Sequence, residues 1–283
     1  MGFISKVPFF WPFAMLLAQT VVSYFILLVV YYIIDSYLYK KETSKPVSKV
    51  KSAISIDGGW NFLLLAGVVG AVLVSSQDWG IAFYLYRVPM PASELVSLIA
   101  LIAITILSIK ITRKDTRVAN QFSWHPIQEV GKIFAAIFVC MAPLIAMLRA
   151  GSDGPMKIII DSLSKDGLPV NEMYYWLSGG LSAFLDSAPA YLVFFNTAAA
   201  PAAAIGMAPH TYMTEVIPST LVAITMGASF MGAITYIGNA PNMMIQAIAE
   251  DDGIKMPSFF GYMVWSVCIL IPLFILMQLL FIK

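Results

Sequence analysis

The sequence predicts an all-α polytopic membrane protein with one re-entrant hairpin and one broken transmembrane helix. Hydrophobic residues make up 59% of the chain and charged residues 12%, whereas soluble domains carry about 25% charged residues. Several apolar stretches reach the roughly 17–25 residues needed to cross a bilayer core of about 30 Å. Two of them are interrupted by polar residues and a proline, at residues 186–189 and 238–242. Breaks of this kind at membrane depth are typical of transporter binding sites.

The apolar segments before the first interruption predict four membrane spans, at about residues 13–34, 60–75, 95–111 and 133–148. The connecting loops alternate in positive charge, being rich in lysine and arginine at 35–57 and 110–132 and poorer at 77–93 and 150–172. The positive-inside rule therefore places the first and third loops in the cytoplasm. Trp79, Tyr84 and Tyr86 in the second loop are expected to anchor the chain at the membrane interface. The chain then reaches the outer face just before the first interruption.

The first interruption, Asp-Ser-Ala-Pro at residues 186–189, lies within an apolar run at 174–205 that contains no other Asp, Glu, Lys, Arg or His. Twelve helical residues from Tyr174 rise about 18 Å, which places Asp186 near the middle of the membrane. We expect Pro189 to interrupt the helix and residues 191–205 to form a second arm. An ionisable residue at that depth costs several kcal/mol, which favours a functional role for Asp186 over simple helix capping.

The second interruption, Gly-Asn-Ala-Pro-Asn at residues 238–242, repeats the order of a polar residue, a small residue and Ala-Pro. About nine residues separate it from the acidic cluster at 250–252, which we expect at the cytoplasmic surface, so this break also lies inside the membrane. The sequence leaves open whether residues 214–237 form one tilted helix or an interfacial piece followed by a half-helix. A last span is expected over Phe259–Phe281. A simple proline kink is the structural alternative for the break.

The two interruptions together predict a cation or proton site. A carboxylate can hold charge or a proton, neighbouring hydroxyl and amide groups offer neutral oxygens, and a proline leaves a carbonyl one turn earlier without its donor. For Na+, Asp186 and Asn239 are the expected ligands; no cofactor beyond a coupling Na+ or H+ is expected. Neither an enzyme site nor a nucleic-acid-binding patch is evident. The candidate ion- or substrate-binding residues are Asp186, Ser187, Pro189, Asn196, Thr197, Thr235, Gly238, Asn239, Pro241 and Asn242.

These motifs resemble a known family. Gly179-Gly180-Leu181-Ser182-Ala183-Phe184-Leu185-Asp186 with Ala188-Pro189 resembles the signature hairpin of bacterial ion-transporter superfamily carriers. The stretches at residues 232–242 and 256–262 resemble the downstream signature, and the most similar family is the citrate transport family, often described as sodium:proton antiporter-like. The resemblance implies an inverted-repeat fold with substrate between the repeats, and a homodimer. Ser187 and Ala190 stand where the family usually has Asn and Thr.

The resemblance also bears on the extent of the chain. Gly2-Phe3 with Val7-Pro8-Phe9-Phe10-Trp11 resembles a motif near the middle of full family members. This implies that the chain is the second of two inverted repeats, with a first-repeat half encoded upstream. Within one membrane domain, residues 1–172 are expected to form a connecting segment and four transmembrane helices. Residues 173–283 are expected to hold the hairpin, the broken helix and the final helix, in a multi-pass protein of the bacterial inner membrane.

Three functions remain open at this point. Sodium:proton exchange ranks first, because a lone acid among hydroxyl and amide groups suits a small cation and no buried Arg or Lys is evident to receive a carboxylate substrate. The alternative is a carrier of citrate or another organic anion, which the helix N-termini after Pro189 or Pro241 would bind through their dipoles. The third is a non-transporting fragment or subunit.

Overall fold

The computed structural model describes residues 5, 7–8, 10–41, 58–77, 79–86, 88–120, 122–125, 127–128, isolated positions between 131 and 147, 154–165 and 167–282. The chain divides into two compact units, residues 34–123 and residues 1–33 with 124–283. The predicted fourth span at 133–148 falls largely outside the described residues, as do most of the loop at 35–57 and the motif at Gly2-Phe3.

The described elements in chain order are helices α1 (Trp11–Lys41) and α2 (Trp60–Ser75), strands β1 (Ile81–Leu85) and β2 (Val88–Pro91), helices α3 (Ala92–Ile111), α4 (Lys114–Ala119) and α5 (Lys157–Ser162), strands β3 (Ser164–Lys165) and β4 (Leu168–Pro169), and helices α6 (Asn171–Leu185), α7 (Ser187–Ala198), α8 (Pro218–Phe230), α9 (Ala240–Asp251) and α10 (Phe259–Phe281). Short 3₁₀ segments, Ala200–Ile205 and Met231–Ile234, follow α7 and α8.

The prediction of an all-α polytopic membrane protein is confirmed. Among the described residues, four segments are long and apolar enough to span a membrane, namely α1, α3, α10 and Ser187–Ile205. The pair Pro209–Val216 and Pro218–Ile234 also qualifies but is bent by 101°. The predicted spans at 60–75 and Phe259–Phe281 coincide with α2 and α10. Helix α1 runs past the expected end at Asp35 to Lys41, because the following residues contain no glycine or proline to stop it.

In the unit of residues 34–123, α2 and α3 form an antiparallel helix pair. Near the start of α2, Asn61 accepts hydrogen bonds from Thr112 (3.2 Å) and Ser108 (3.4 Å), at the end of α3. Gly67 lies against Ile104 in the middle of the pair. The connection between the two helices is an antiparallel β-hairpin, β1–β2, where we expected only a loop.

In the other unit, α6 and α7 form the predicted hairpin. They are separated by one residue, Asp186, and the rings of Tyr174 and Phe194 pack edge to face across the two arms with centroids 6.3 Å apart. A contact between residues twelve positions before the tip and eight positions after it requires the chain to fold back on itself. The α-helices of the two arms have 15 and 12 residues and rise about 22 and 18 Å. The 3₁₀ segment Ala200–Ile205 continues the second arm.

The chain returns to the start of the hairpin through a bent segment. A π-helical turn, Tyr212–Val216, precedes Ile217, and α8 begins at Pro218 after the 101° bend. The question left open for residues 214–237 is thus settled in favour of a separate short piece followed by a helix. The 3₁₀ turn Met231–Ile234 then closes α8, and α9 begins only at Ala240. The break predicted at 238–242 is thus found at residues 235–239, and residues 240–242 already belong to α9.

Small residues allow α6 and α8 to pack closely and in the same direction. The hydroxyl of Thr220 donates to the Asn171 side chain (2.7 Å) near the two N-termini, and that of Ser182 donates to Ala228 O (2.6 Å) near the two C-termini. A side chain at Gly227 would collide with the Tyr175 backbone. Small side chains at an interface are the usual way for membrane helices to approach each other.

Helix α10 crosses the α6–α8 pair in the opposite direction. Its C-terminal part contacts the start of α6, where Trp176 Nε1 donates to Gln278 Oε1 (2.6 Å). Its N-terminal part contacts the break, where Tyr262 OH donates to Ala233 O (3.0 Å). The starts of α6 and α8 and the end of α10 therefore lie at one end of the unit, and the hairpin tip and the break lie at the other.

Candidate functional site

Asp186 forms the tip of the hairpin and caps its second arm. One carboxylate oxygen accepts the backbone N–H of Ser187 at 2.7 Å and its hydroxyl at 3.3 Å. The residue has φ +79° and ψ +147°, a region that residues other than glycine occupy at a cost of about 1–3 kcal/mol. Strain of this kind is common at functional sites, where the surrounding structure enforces it. The half-buried carboxylate is thus fixed at the N-terminus of α7, where the helix dipole favours a negative charge.

The prolines do not act as we predicted. The break lies at Asp186 itself, and Pro189 occupies the third residue of α7; Pro241 occupies the second residue of α9. Both positions fall in the first turn of a helix, where the N–H would have no intrahelical partner. The two prolines therefore begin helices and do not interrupt them. Consequently, the second arm begins at Ser187 and not at residue 191.

The hairpin and the break touch each other. The hydroxyl of Thr235 donates to Ala183 O, which lies three residues before Asp186, and the same hydroxyl accepts the N–H of Gly238 at 3.0 Å. Gly238 packs so closely that an added Cβ would lie 2.9 Å from Ala183 O and still closer to Gly232 O. The two interruptions that the sequence singled out are thus in direct contact, with Thr235 as the link.

Two asparagines organise the break. The Asn239 side chain caps α9 by accepting the N–H of Asn242 at 3.0 Å. The Asn242 amide nitrogen donates back to Thr235 O (2.9 Å) and Gly232 O (3.4 Å). Since its nitrogen is engaged, Asn242 turns its amide oxygen away from these carbonyls. The side-chain oxygen of Asn239, an expected Na+ ligand, already accepts one hydrogen bond and keeps one lone pair.

The expectation of unpaired carbonyls is wrong for the upstream half of the break. Besides the two carbonyls bonded by Asn242, Ala233 O accepts from Tyr262 OH at 3.0 Å and Ile234 O from the Ser266 hydroxyl at 2.5 Å. Tyr262 also stacks on Tyr236, with ring centroids 4.2 Å apart. Side chains from α9 and α10 therefore satisfy the carbonyls of Gly232–Thr235, so a cation at the tip would rely mainly on side-chain oxygens.

Two candidate residues lie apart from the tip. Asn196 and Thr197 are ten and eleven residues along α7 from Asp186, a rise of about 15 Å. Both side chains bond to their own helix, Asn196 to Leu192 O (2.8 Å) and Thr197 to Val193 O (2.9 Å). The other candidates lie at the tip or in and just after the break, and Thr235 and Gly238 join these two groups through their contacts with Ala183. The residues at the tip are Asp186, Ser187 and Pro189, and those at the break are Thr235, Gly238, Asn239, Pro241 and Asn242.

Four residues of this network escaped the sequence reasoning. Ser178 and Ser182 bond α6 to α8, and Tyr262 and Ser266 bond α10 to the break. The i, i+4 spacing of each pair, which places both members on one helix face, was the available signal. Serines at this spacing in a membrane helix are a known means of joining helices.

The charge at the tip has no ionic partner among the described residues. No lysine, arginine or histidine in the described ranges forms an ion pair with Asp186, and those ranges contain no group of three His, Cys, Asp or Glu that could hold a metal ion. Within the described ranges, the bonds to its carboxylate come from Ser187 alone, the next residue in the chain. Ionisable residues in the apolar segments of membrane proteins are costly and are therefore candidates for a functional role.

The long apolar helices, the hairpin and the broken helix define a polytopic membrane protein. Comparison with protein families agrees with this class: the family model described as "Putative citrate transport" matches residues 1–282. The chain belongs to this family. No curated protein matched the chain, and no solved structure did.

Proposed function

We propose that this protein is an ion-coupled secondary transporter of an organic anion of the citrate class, with Asp186 as the site of the coupling proton or Na+. The observation that carries the proposal is the contact between two helix breaks beside a lone carboxylate. Ala183, Thr235 and Gly238 join the breaks, and Asp186 lies three residues further on. Transporters use pairs of discontinuous helices in this way to build sites inside the membrane.

The charge of Asp186 supports the coupling role. In the present arrangement, Ser187 and the N-terminus of α7 stabilise the carboxylate. These contacts are short-range and neutral, so they leave a net charge that a proton or Na+ would cancel. Binding of either ion would weaken the capping bond, because neutralising the carboxylate reduces the negative charge on both of its oxygens, including the one that accepts from Ser187. Ion binding and hairpin geometry are thereby linked.

The organic anion is favoured by the family description and by the second break. Helix α9 begins two residues after Gly238, which packs against Ala183, and it is capped by a neutral side chain, that of Asn239. A helix N-terminus with a neutral cap retains its positive dipole for an anionic group. The N-terminus of α7, in contrast, already holds the Asp186 carboxylate. We therefore place the substrate carboxylate toward α9 and the coupling ion at Asp186.

Sodium:proton exchange is the second candidate function. It is favoured by the absence of an Arg or Lys ion pair to Asp186 within the described residues, since a small cation needs no cationic receptor. The two functions share the ion site and differ in whether an anion accompanies the ion. A location in the bacterial inner membrane, a homodimer and a first-repeat half encoded upstream belong to the same proposal.

Flux measurements in proteoliposomes test the proposal. Labelled citrate uptake is measured with imposed inward proton or Na+ gradients, and a pH dye inside the vesicles reports proton movement when Na+ is added without citrate. Gradient-dependent citrate uptake supports the anion carrier. Na+-induced proton movement without citrate uptake supports the exchanger instead. Absence of both fluxes, for the chain alone and with any upstream-encoded partner, contradicts both functions.

A further inference from the structure

The β-hairpin between α2 and α3 carries an exposed apolar surface on both of its faces. Its strands pair Leu85 with Val88, Tyr84 with Pro89 and Phe83 with Met90. Side chains alternate between the faces of a strand, so Phe83 and Leu85 lie on one face and Tyr84 lies on the other. All five residues of β1 are exposed, Leu85 by 63% and Tyr84 by 65%.

A one-sided protein contact would leave the opposite apolar face in water. A contiguous exposed apolar surface in a native protein marks an interaction site or a membrane contact. Lipid that surrounds the hairpin would remove both apolar faces from water at once. The sequence between Ser75 and Glu94 holds only two charged residues, Asp78 and Arg87, so little would oppose transfer of the strands out of water.

The position of the hairpin fixes its depth. Asn61, Ser108 and Thr112 form a polar cluster at one end of the α2–α3 pair, next to the basic residues of α4. Helix α3 has 20 residues and rises about 30 Å, the thickness of a bilayer core. Ala92, its first residue, is bonded through its N–H to Gly80 O at 2.9 Å, so the base of the hairpin lies at the opposite membrane surface.

The backbone excludes a deeper position. A two-stranded sheet has two open edges, and the hydrocarbon core offers no partners for their N–H and C=O groups. Pro89 and Pro91 remove donors from β2, but the remaining edge groups need water or lipid headgroups. The phenol groups of Tyr84 and of Tyr86, which is 97% exposed in the turn, likewise suit the boundary between headgroups and acyl chains.

We infer that the β1–β2 hairpin is a lipid-binding element that inserts into the headgroup region of the bilayer, on the side opposite the basic end of α3. The partner is the phospholipid interface, and the hairpin extends the membrane-contacting surface of α2 and α3 beyond the ends of these helices. Because α2 has only 16 residues, a rise of about 24 Å, the hairpin supplies apolar surface where α2 is too short.

Depth-dependent fluorescence quenching tests this inference in the intact chain, with Cys140 and Cys268 replaced by alanine. An environment-sensitive fluorophore is attached to Tyr86→Cys or Leu85→Cys, and the protein is placed in phosphatidylcholine–phosphatidylglycerol vesicles. The lipids carry a nitroxide near the headgroup or near the chain end, and aqueous iodide is the third quencher. Ile102→Cys, ten residues into the exposed face of α3, serves as the deep control.

We expect the hairpin labels to be quenched most by the headgroup-proximal nitroxide and the Ile102 label most by the chain-end nitroxide. Strong quenching of the hairpin labels by iodide, with none by either lipid, would place the hairpin in water and overturn the inference. Protection from all three quenchers would overturn it as well, because a protein surface would then cover the hairpin.

A second measurement uses the unmodified protein and does not depend on the cysteine variants. A phospholipid with a photoactivatable group near its headgroup is incorporated into the same vesicles, and cross-linked peptides are identified by mass spectrometry. Adducts on residues 79–91 are expected, with adducts on the middle of α3 only when the reactive group is at the chain end. Absence of adducts on 79–91 contradicts the inference.

Discussion

The hydroxyl of Thr235 donates a hydrogen bond to the carbonyl oxygen of Ala183. This bond joins the break between α8 and α9 to the last turn of the hairpin's first arm, three residues from Asp186. The same hydroxyl accepts the N–H of Gly238, so one buried side chain orders both interruptions. The hairpin and the break, the two halves of the candidate site, are therefore held together by hydrogen bonds of Thr235.

Replacement of Thr235 tests this connection. Thr235→Val keeps the shape of the side chain but leaves Ala183 O and the Gly238 N–H without their partner, which costs about 1–3 kcal/mol for each unsatisfied buried group. We expect a lower melting temperature in detergent and a loss of transport. Thr235→Ser retains the hydroxyl and is the control. Equal melting temperatures for the valine and serine variants would show that the hydroxyl does not hold the breaks together.

Gly238 is expected to tolerate no side chain. In Gly238→Ala the Cβ would meet the carbonyl oxygens of Gly232 and Ala183, and overpacking of this kind costs about 1–3 kcal/mol. Gly180→Ala is the matched control, since no atom of the described residues lies within 4 Å of a Cβ at Gly180. In thermal unfolding, we expect a clearly lower melting temperature for Gly238→Ala than for Gly180→Ala. Similar unfolding of the two alanine variants would contradict the close approach of hairpin and break.

The backbone strain at Asp186 predicts an order of stability among its variants. Glycine relieves the positive φ, a gain of about 1–3 kcal/mol, and as a helix cap it loses only a few tenths. Alanine keeps the strain and loses the cap, which costs about 0.5–2 kcal/mol more. Melting temperatures should therefore fall in the order Asp186→Gly, Asp186→Asn, Asp186→Ala. A more stable alanine than glycine variant would argue against the strained geometry.

The carbonyls of the break depend on donors from α10. Tyr262→Phe keeps the stacking on Tyr236 but removes the donor to Ala233 O, and Ser266→Ala removes the donor to Ile234 O. Each change is expected to lower the free energy of unfolding by about 1–3 kcal/mol. Tyr31→Phe, at an exposed position of α1, should have no effect. Unchanged stability in both α10 variants would mean that these carbonyls have other donors.

For Gln19 we expect that replacing a buried polar side chain stabilises the protein, unlike the replacements above. Ser23 lies in the same environment. The two residues lie one turn apart on the buried face of α1, and Gln19 Oε1 and Ser23 Oγ make no hydrogen bond in the described part of the chain. Replacing such a group by an apolar one of similar size removes its desolvation penalty, about 1–3 kcal/mol. Gln19→Leu should thus stabilise the protein, whereas Gln278→Leu, which loses the bond from Trp176, should destabilise it. Destabilisation by both would mean that Gln19 has a partner.

Much of this architecture could be predicted from the sequence, because apolar length and intramembrane charge are strong local signals. The bounds of α2 and α10 and the position of the hairpin tip followed from them directly. The β1–β2 hairpin could not be predicted in this way, since both of its faces are apolar and the strands lack the alternation that identifies a half-buried strand. The bend at Ile217 could not be predicted either, because no change in the hydrophobic pattern of the sequence indicates it.

Within the site, residue types were easier to predict than hydrogen-bond partners. Asp186 and the polar residues at 238–242 were evident because such groups are unusual in an apolar segment. Two of the four carbonyls of Gly232–Thr235, however, are bonded by Tyr262 and Ser266, 29 and 32 residues further along the chain. The two prolines likewise indicated correctly where helices are broken, but they do not cause the breaks. Pro189 and Pro241 each occupy the first turn of a helix, because the chain is already broken at the residues before them.

The most direct test of the central claim is the ion dependence of transport in the Asp186→Asn variant. Asparagine retains the helix cap, so the variant should fold with a melting temperature close to that of the native protein, while its side chain can neither bind a proton nor offset a cation. We predict that citrate uptake into proteoliposomes rises with an imposed inward proton or Na+ gradient in the native protein and is independent of both gradients, or lost, in the variant. Uptake in the folded variant with the same gradient dependence as in the native protein would contradict the assignment of Asp186 as the coupling site.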